Sequence, residues 1–438
     1  MLKTFRKAFQ IEDLRKKIFY TFMMLVVVRI GSLLPTPGVD PTYIQEFFAA
    51  QTGDAFNFFN AFTGGSFEQM SVFALSITPY ITSSIIMQLL TIAIPKLEEM
   101  QKEGEDGRKK IASYTRYVTV LLALIQSTAM AVGFGRSGLL VEYNFPNAAI
   151  VVLTLTAGSA FLMWVGERIT EKGVGNGISI VLLINILSSL PQDFVTLYER
   201  FMKGKTFAIA GVAGAVVVLV MLLVIVFVIL LQDGQRKIAV QYSQKIQGRK
   251  TMGGQSTFIP LKVNTAGVIP VIFASSLMQF PIVIASLIGK AEGKGFWAEV
   301  LKGLNSNNWC NPENLKYSWG LVLYIILTIV FAYFYTSITF NPLEIANNMK
   351  KNGGFIPGIR PGKPTVDYLA KILNYVIFIG AVGLVIVQVI PFFFNGVFGA
   401  QVSFGGTSLI IIVGVVLETL NQIESQMLVR NYKGFLNK

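Results

Sequence analysis

A chain of 438 residues that is 53% hydrophobic and only 14% charged, with a mean hydropathy of +0.58, is by composition a polytopic membrane protein and not a soluble enzyme. It has no histidine and one cysteine, Cys310, so a His-ligated metal site, a Ser-His nucleophile and an internal disulfide framework are excluded. The net charge of +13 must then reside in the connections between spans, where it reports orientation.

The amino terminus sets Lys3, Arg6, Lys7, Arg15, Lys16 and Lys17 before an apolar run over 18–34. That run ends in Gly31-Ser32-Leu33-Leu34-Pro35-Thr36-Pro37 without a small-residue cleavage pattern, so it reads as a retained first span. Arg29, near its outer end, either snorkels or meets a polar partner. The stretch 55–94 is too long for one spanning helix, which takes about 20 apolar residues. Its first part holds Asn57, Asn60, Thr63, Gly64, Gly65, Ser66, Glu68 and Gln69. Broken polar backbone survives at membrane depth only under protein cover or beside a watery cavity, so 55–70 reads as a half-inserted element. Residues 71–94 then predict a helix with Ile77, Ile81, Ser84 and Gln88 on one face, greasy at one end and polar at the other. A pore wall with an apolar constriction, preceded by a segment able to stop it up, accounts for the pattern; a Gly-kinked packing helix beside a loop accounts for it equally.

Apolar runs at 117–134, 148–165, 178–190, 207–231, 268–287, 319–340, 368–392 and 407–427 bring the expected spans to about ten. The fifth is short, with Pro191 as its stop, which suits a buried or wall-lining helix. Lysine and arginine concentrate on alternate connections: the amino terminus, 96–116, Arg168 and Lys172, 236–262, 350–371, and Arg430 to Lys438. The opposite connections hold only Arg136, Arg200, Lys203, Lys205, Lys290, Lys294, Lys302 and Lys316. This bias puts both termini in the cytoplasm, as an even number of spans also requires. No Asp falls in mid-span, which removes the deep carboxylates that ion-coupled transport and intramembrane aspartyl proteolysis need.

Three connections carry motifs. Gly173-Val174-Gly175-Asn176-Gly177 sits before a helix, where glycines can cradle phosphate, but no predicted strand precedes it and a tight turn between closely packed helices fits better. The segment 235–264 alternates apolar and basic residues around glycines and reads as a protruding hairpin, or as a basic loop lying on anionic headgroups. Gly353-Gly354-Phe355-Ile356-Pro357-Gly358-Ile359-Arg360-Pro361-Gly362 fixes an irregular backbone that presents one guanidinium outward. Two ordered basic projections on one face suit docking of a large partner, through RNA phosphates or an acidic protein surface.

Taken together and in this order, several segments resemble the SecY family along essentially the whole chain: Val28-Arg29-Ile30-Gly31-Ser32, Phe62-Thr63-Gly64-Gly65, Pro79-Tyr80-Ile81, Gly104-Glu105-Asp106-Gly107-Arg108, Gly175-Asn176-Gly177-Ile178-Ser179, Gly267-Val268-Ile269-Pro270, Ile356-Pro357-Gly358-Ile359-Arg360-Pro361-Gly362 and Phe404-Gly405-Gly406-Thr407-Ser408. The resemblance implies an all-α protein-conducting channel of the bacterial cytoplasmic membrane, with ten transmembrane helices in two inverted, pseudo-symmetric halves of five around a central pore. The expected segments are a cytoplasmic amino terminus (1–17), a first half (18–190), an outer connection (191–206), a second half (207–427, with cytoplasmic loops 232–264 and 341–367) and a cytoplasmic tail (428–438). It also implies a short plug helix at about 58–69, including Phe62, Thr63, Gly64, Gly65 and Ser66.

By matched position the pore ring is Ile77, Ile81, Leu182, Ile272 and Ile411, with leucine at 182 where an isoleucine is familiar. A lateral gate between the second, third, seventh and eighth helices includes Ser83, Ser84, Gln88, Pro270, Ser275 and Ser276. Arg236, Lys237, Lys245, Arg249, Lys250 and Arg360 form the docking face. The implied partners are SecE and SecG in a heterotrimer, the SecA ATPase, the ribosome, and secretory or membrane-protein substrates with signal sequences; no cofactor or metal is implied. Depth arithmetic agrees for the ring: eight residues separate Asn264 from Ile272 and Ser403 from Ile411, ~12 Å of helix each, near half of a ~30 Å hydrocarbon core. Branched aliphatic side chains exclude water and ions while offering a sliding chain nothing to bond to. Pro270 and Pro281 are read as flexing points or static kinks of the seventh helix. No P-loop signature is present, so work comes from a partner. A secondary transporter of small solutes, also built from inverted repeats, is the alternative.

Overall fold

The computed structural model describes residues 9–40, 42, 63–133, 135, 138–203, 207–242, 245–247, 250–252, 256–287, 295–305, 308–310, 315–398 and 406–436. Each expected apolar run lies on a helix, because in lipid a segment must satisfy its backbone within itself. The first half contains α1 (Glu12–Leu33), α2 (Thr78–Ala93), a short α3 (Pro95–Lys102), α4 (Glu105–Gly133), α5 (Phe145–Lys172) and α6 (Gly177–Phe201). The second contains α7 (Phe207–Asp233), α8 (Ile269–Leu287), a short α9 (Phe296–Leu304), α10 (Trp319–Thr339), α11 (Pro342–Lys351), α12 (Lys363–Phe398) and α13 (Gly406–Leu436). Among the described residues, six helices are long and apolar enough to cross a membrane, or seven if α2 and α3, bent by 102°, count as one span. The protein is thus a multi-pass membrane protein, with fewer of the expected ten spans meeting that criterion.

Contacts divide the helices into two groups. α1, α2, α4, α5 and α6 pack on one another, as do α7, α8, α10, α12 and α13. The groups meet where α6 touches α13 and α7, and where α4 touches α8. Lipid tails are as apolar as leucine, so helix association here depends on close fit and not on removal from water. Small residues provide that fit: Gly31 lies against the Phe73 ring, Gly158 against the Val72 carbonyl and Gly177 against the Gly166 carbonyl, each without room for a side chain. The Gly173–Gly177 connection is accordingly a tight turn, with the Asn176 side chain accepting from the amides of Ile178 and Ser179.

Several boundaries differ from expectation. α2 starts at Thr78 and not at Ser71: residues 71–77 form turns, Ser76 takes φ 51°, and Pro79 stands in the first turn of the helix, where its missing N–H costs nothing. Pro191 does not end the fifth span, since α6 runs through it to Phe201 and makes much of 191–206 helical. A proline inside a helix forfeits one backbone bond, here the one to the Leu187 carbonyl; just before it the hydroxyls of Ser188 and Ser189 bond back to the carbonyls of Asn185 and Ile186. Pro270 sits in the first turn of α8, leaving Pro281 as the proline inside that helix. α13 continues through 428–436.

The two basic projections form one unit. β1 (Gln235–Tyr242) pairs antiparallel with β4 (Ser256–Lys262) and on its other edge with β5 (Gly354–Phe355), while β2 (Lys245–Gln247) and β3 (Lys250–Met252) form a separate ladder. Alternation along β1 buries Ile238 and Val240 against Leu261, Ala346, Met349, Ile356 and Leu369, as a half-buried strand should.

Candidate functional site

α6 serves as a ruler for the site. Ile178, Leu182, Asn185 and Ser188 follow one another at three- or four-residue spacing along it, so the ten steps from Ile178 to Ser188 cover ~15 Å, about half the hydrocarbon core. Each of those levels meets something different.

At Ile178 the helix lines a cavity of about 550 Å³. Its walls carry Tyr80, Ser84 and Gln88 of α2, Arg116 of α4, Glu167, Thr170 and Glu171 of α5, and Tyr335 of α10. Arg116 Nε donates to Glu167 Oε1 at 2.7 Å. Ile81, Ile269 and Ile272 line the same space.

At Leu182 the helix enters an apolar cluster. Ile77, Leu182 and Ile411 are buried in one cluster with Val28, Phe73, Val165, Val181 and Ile186, and Ile81 and Ile272 pack on that cluster half-buried. All five expected ring positions are therefore in one cluster, Ile77 from the turn before α2 and the others from α2, α6, α8 and α13. Ile77 and Ile411 are 0% and 1% exposed, so no solvent reaches them.

At Asn185 and Ser188 the helix meets residues 63–70. Arg29 Nη1 donates to both the Gly64 carbonyl, at 3.2 Å, and Ser188 Oγ, at 3.0 Å, and Ser188 Oγ lies 3.3 Å from that carbonyl. Asn185 Nδ2 donates to Ser76 Oγ at 3.0 Å. Gly64 holds φ +67°, and a side chain there would meet Ser188, Arg29 and the Asn185 backbone; glycine alone fits both the conformation and the gap. Main-chain bonds from Thr36 to Met70 and from Val72 to Leu34, both 2.9 Å, tie the segment to the end of α1. Thr63, Gly64 and Ser66 are buried and Gly65 is half-buried. Phe62 and 58–61 lie outside the described residues.

The expected gate residues separate. Ser84 and Gln88 face the cavity. Ser83 is instead turned to α4, donating to the Thr115 carbonyl at 2.7 Å; Ser275 bonds back to the Ile272 carbonyl and Ser276 is exposed. On the sheet, Arg236 and Lys237 are exposed on β1 and Arg360 on the turn after β5, whose carbonyl accepts from Thr365 Oγ1 at 2.9 Å. Lys245 and Lys250 belong to β2 and β3, and Arg249 lies outside the described residues. Sequence reading missed the Arg116–Glu167 pair and the two tyrosines; Asn185, an amide within an apolar run, was the available pointer to the polar level.

A family model described as SecY matches residues 71–420. The chain is 44% identical to the protein translocase subunit SecY of Corynebacterium glutamicum, over 98% of this chain and 99% of the relative. The chain belongs to the SecY family. It is also 43% identical, over the full length of both, to the protein translocase subunit SecY of Halalkalibacterium halodurans. Among solved structures it is similar to a protein-conducting channel with a TM-score of 0.61 at 16% identity, covering 94% of this chain and 92% of that one. It is likewise similar to Sec61 in the canine ribosome-channel complex, with a TM-score of 0.58 at 16% identity and the same coverage. At such identities the structural likeness shows a shared SecY-type fold, and the family is not one of enzymes.

Proposed function

We propose that this chain is the channel subunit of a protein translocase, passing unfolded polypeptide through the apolar collar of Ile77, Ile81, Leu182, Ile272 and Ile411. The observation that carries the reading is the order along α6 of cavity, collar and covering segment. A polymer entering the cavity meets side chains that form no hydrogen bonds to it, and at rest the collar is closed by its own contacts and backed by residues 63–70. An apolar signal segment gains ~0.8 kcal/mol per methylene on leaving water for the lipid-facing side of the α2–α8 seam, which is the differential binding that parts the two halves and lets spans leave sideways. A small-solute transporter would converge specific polar groups on the midplane, where this chain has isoleucine and leucine.

A photoreactive residue at Ile81 or Ile272 is expected to crosslink to a secretory chain stalled in transit. Adducts no more frequent than from Leu230, an exposed residue of α7, count against the reading.

The sheet of β1, β4 and β5 is the docking face, with both termini on that cytoplasmic side of a bacterial membrane. Ribosome-bound relatives of this fold support the ribosome as one partner, and SecA, SecE and SecG complete the machinery. Because Arg360 is exposed on an ordered turn, Arg360→Glu is expected to cut SecA-driven translocation severely while leaving membrane insertion of the protein intact. Unchanged transport in reconstituted vesicles would remove that turn from the docking face.

A further inference from the structure

At the end of α8 away from the basic sheet, the chain leading to α10 folds into a small cap that the channel reading does not use. α9 buries Ala298, Leu301 and Gly303, whereas its first two residues, Phe296 and Trp297, are 84% and 58% exposed. The cap is fastened to the second half. Trp309 Nε1 donates to the Gly303 carbonyl at 2.8 Å, and its ring meets Phe392 of α12 and Tyr324 of α10 with centroids 4.9 and 5.6 Å apart. The Trp319 indole covers Gly303, and Gly320 abuts the Gly303 carbonyl, with no room for a side chain at either glycine. Trp309 and Tyr324 share an apolar cluster with Ala274 and Met278 of α8, so α9 and α8 are parts of one packed unit.

The exposed side of the cap is continuous with a lipid-facing surface. Trp319 begins α10 at 41% exposure, and below it Val322, Ile326 and Val330 form an exposed apolar stripe along one face of that helix. Beside the rings the cap is polar. Glu299 accepts from Lys316 Nζ at 3.2 Å and from Tyr317 OH at 3.0 Å, which holds its carboxyl below the usual carboxylate range. Rings with a charged fringe at the mouth of a spanning helix match the boundary between acyl chains and headgroups, where Trp and other amphipathic groups concentrate.

We propose that α9 lies in the interfacial layer of the leaflet remote from the basic sheet, with Phe296 and Trp297 seated in phospholipid. Through Trp309 and its cluster, that seat fixes the depth of α8, the helix that carries Ile272. The placement requires only that α10 spans the membrane, so it stands or falls separately from the channel reading.

The test uses the full-length protein in phosphatidylcholine vesicles without partner subunits. The fluorescence component lost in Trp297→Phe is expected to be at least halved by phospholipid brominated near the headgroup end of its acyl chain, and spared by aqueous iodide. Quenching by iodide alone would put the ring in water, and quenching by neither would put it under protein; both overturn the proposal. As a second measurement, a polarity-sensitive dye on F296C in a C310S background is expected to emit to the blue of the same dye on K237C, which stands on the exposed sheet. Equal emission from the two sites overturns it as well.

Discussion

Alanine at Ile77, Ile81, Ile272 and Ile411 together is expected to raise the resting ion conductance of the reconstituted channel by tenfold or more, on the order of what opening a dewetted constriction allows. Ile77 and Ile411 are fully buried, in a cluster whose other members are themselves packed on α1, α5 and α6. Shaved side chains there leave space that rigid neighbours fill only in part. Once that space is wide enough for water, it is wide enough for hydrated ions, so the effect is steep and not proportional to volume. Loss of stability alone does not give this result. Val228→Ala with Leu384→Ala removes comparably buried side chains from the second half's own core; it is expected to cost thermal stability and leave conductance unchanged. The measurement is single-channel current in planar bilayers, and a quadruple variant as tight as the parent would dissociate these isoleucines from the seal.

The helices were legible because lipid leaves a long apolar run no other stable backbone, and the basic connections because charge cannot follow them inward. The proposed collar rests on resemblance and depth: nothing local distinguishes Ile77 from Ile85, one buried in the apolar cluster and the other on the cavity wall. Where reading failed, tertiary contacts had overridden a local rule. Pro191 predicts a stop, but α6 forfeits one backbone bond and runs on to Phe201, packed against α13 and α7. Ser71 to Ile77 is apolar enough for a helix, yet the main-chain bond from Val72 to Leu34 ties its start to the end of α1 instead. That β1 would recruit β5 from more than a hundred residues away has no local signature, so two projections were expected where one sheet stands. Arg29 was visible as an anomaly in an apolar run; its partners, a carbonyl and a hydroxyl, leave no charge pattern to search for.

Those partners give Arg29 a role with a large expected consequence. Arg29→Met removes the guanidinium that reaches the Gly64 carbonyl and Ser188 Oγ. Hydrogen bonds to a charged donor contribute about 1.5–3 kcal/mol each, and exposure of the half-buried group reduces that, so about 2 kcal/mol for the pair is a fair scale. If the bonds exist only while residues 63–70 cover the collar, losing them raises the uncovered population on the order of 30-fold. The same substitution exchanges a charge for an apolar side chain in a membrane helix, which favours α1 itself. Release of the segment and loss of fold therefore predict opposite changes in stability. Arg29→Met is expected to leak ions without a lower melting temperature, and Gly64→Ala, which crowds Ser188 and Arg29 at φ +67°, to leak in the same way. Ser188→Ala alone is expected to be milder, since Arg29 keeps the carbonyl, and to add little in the Arg29→Met background because the two act on one contact. Fully additive conductance changes in that double variant would mean that Arg29 and Ser188 hold different things, and the latch would have to be abandoned.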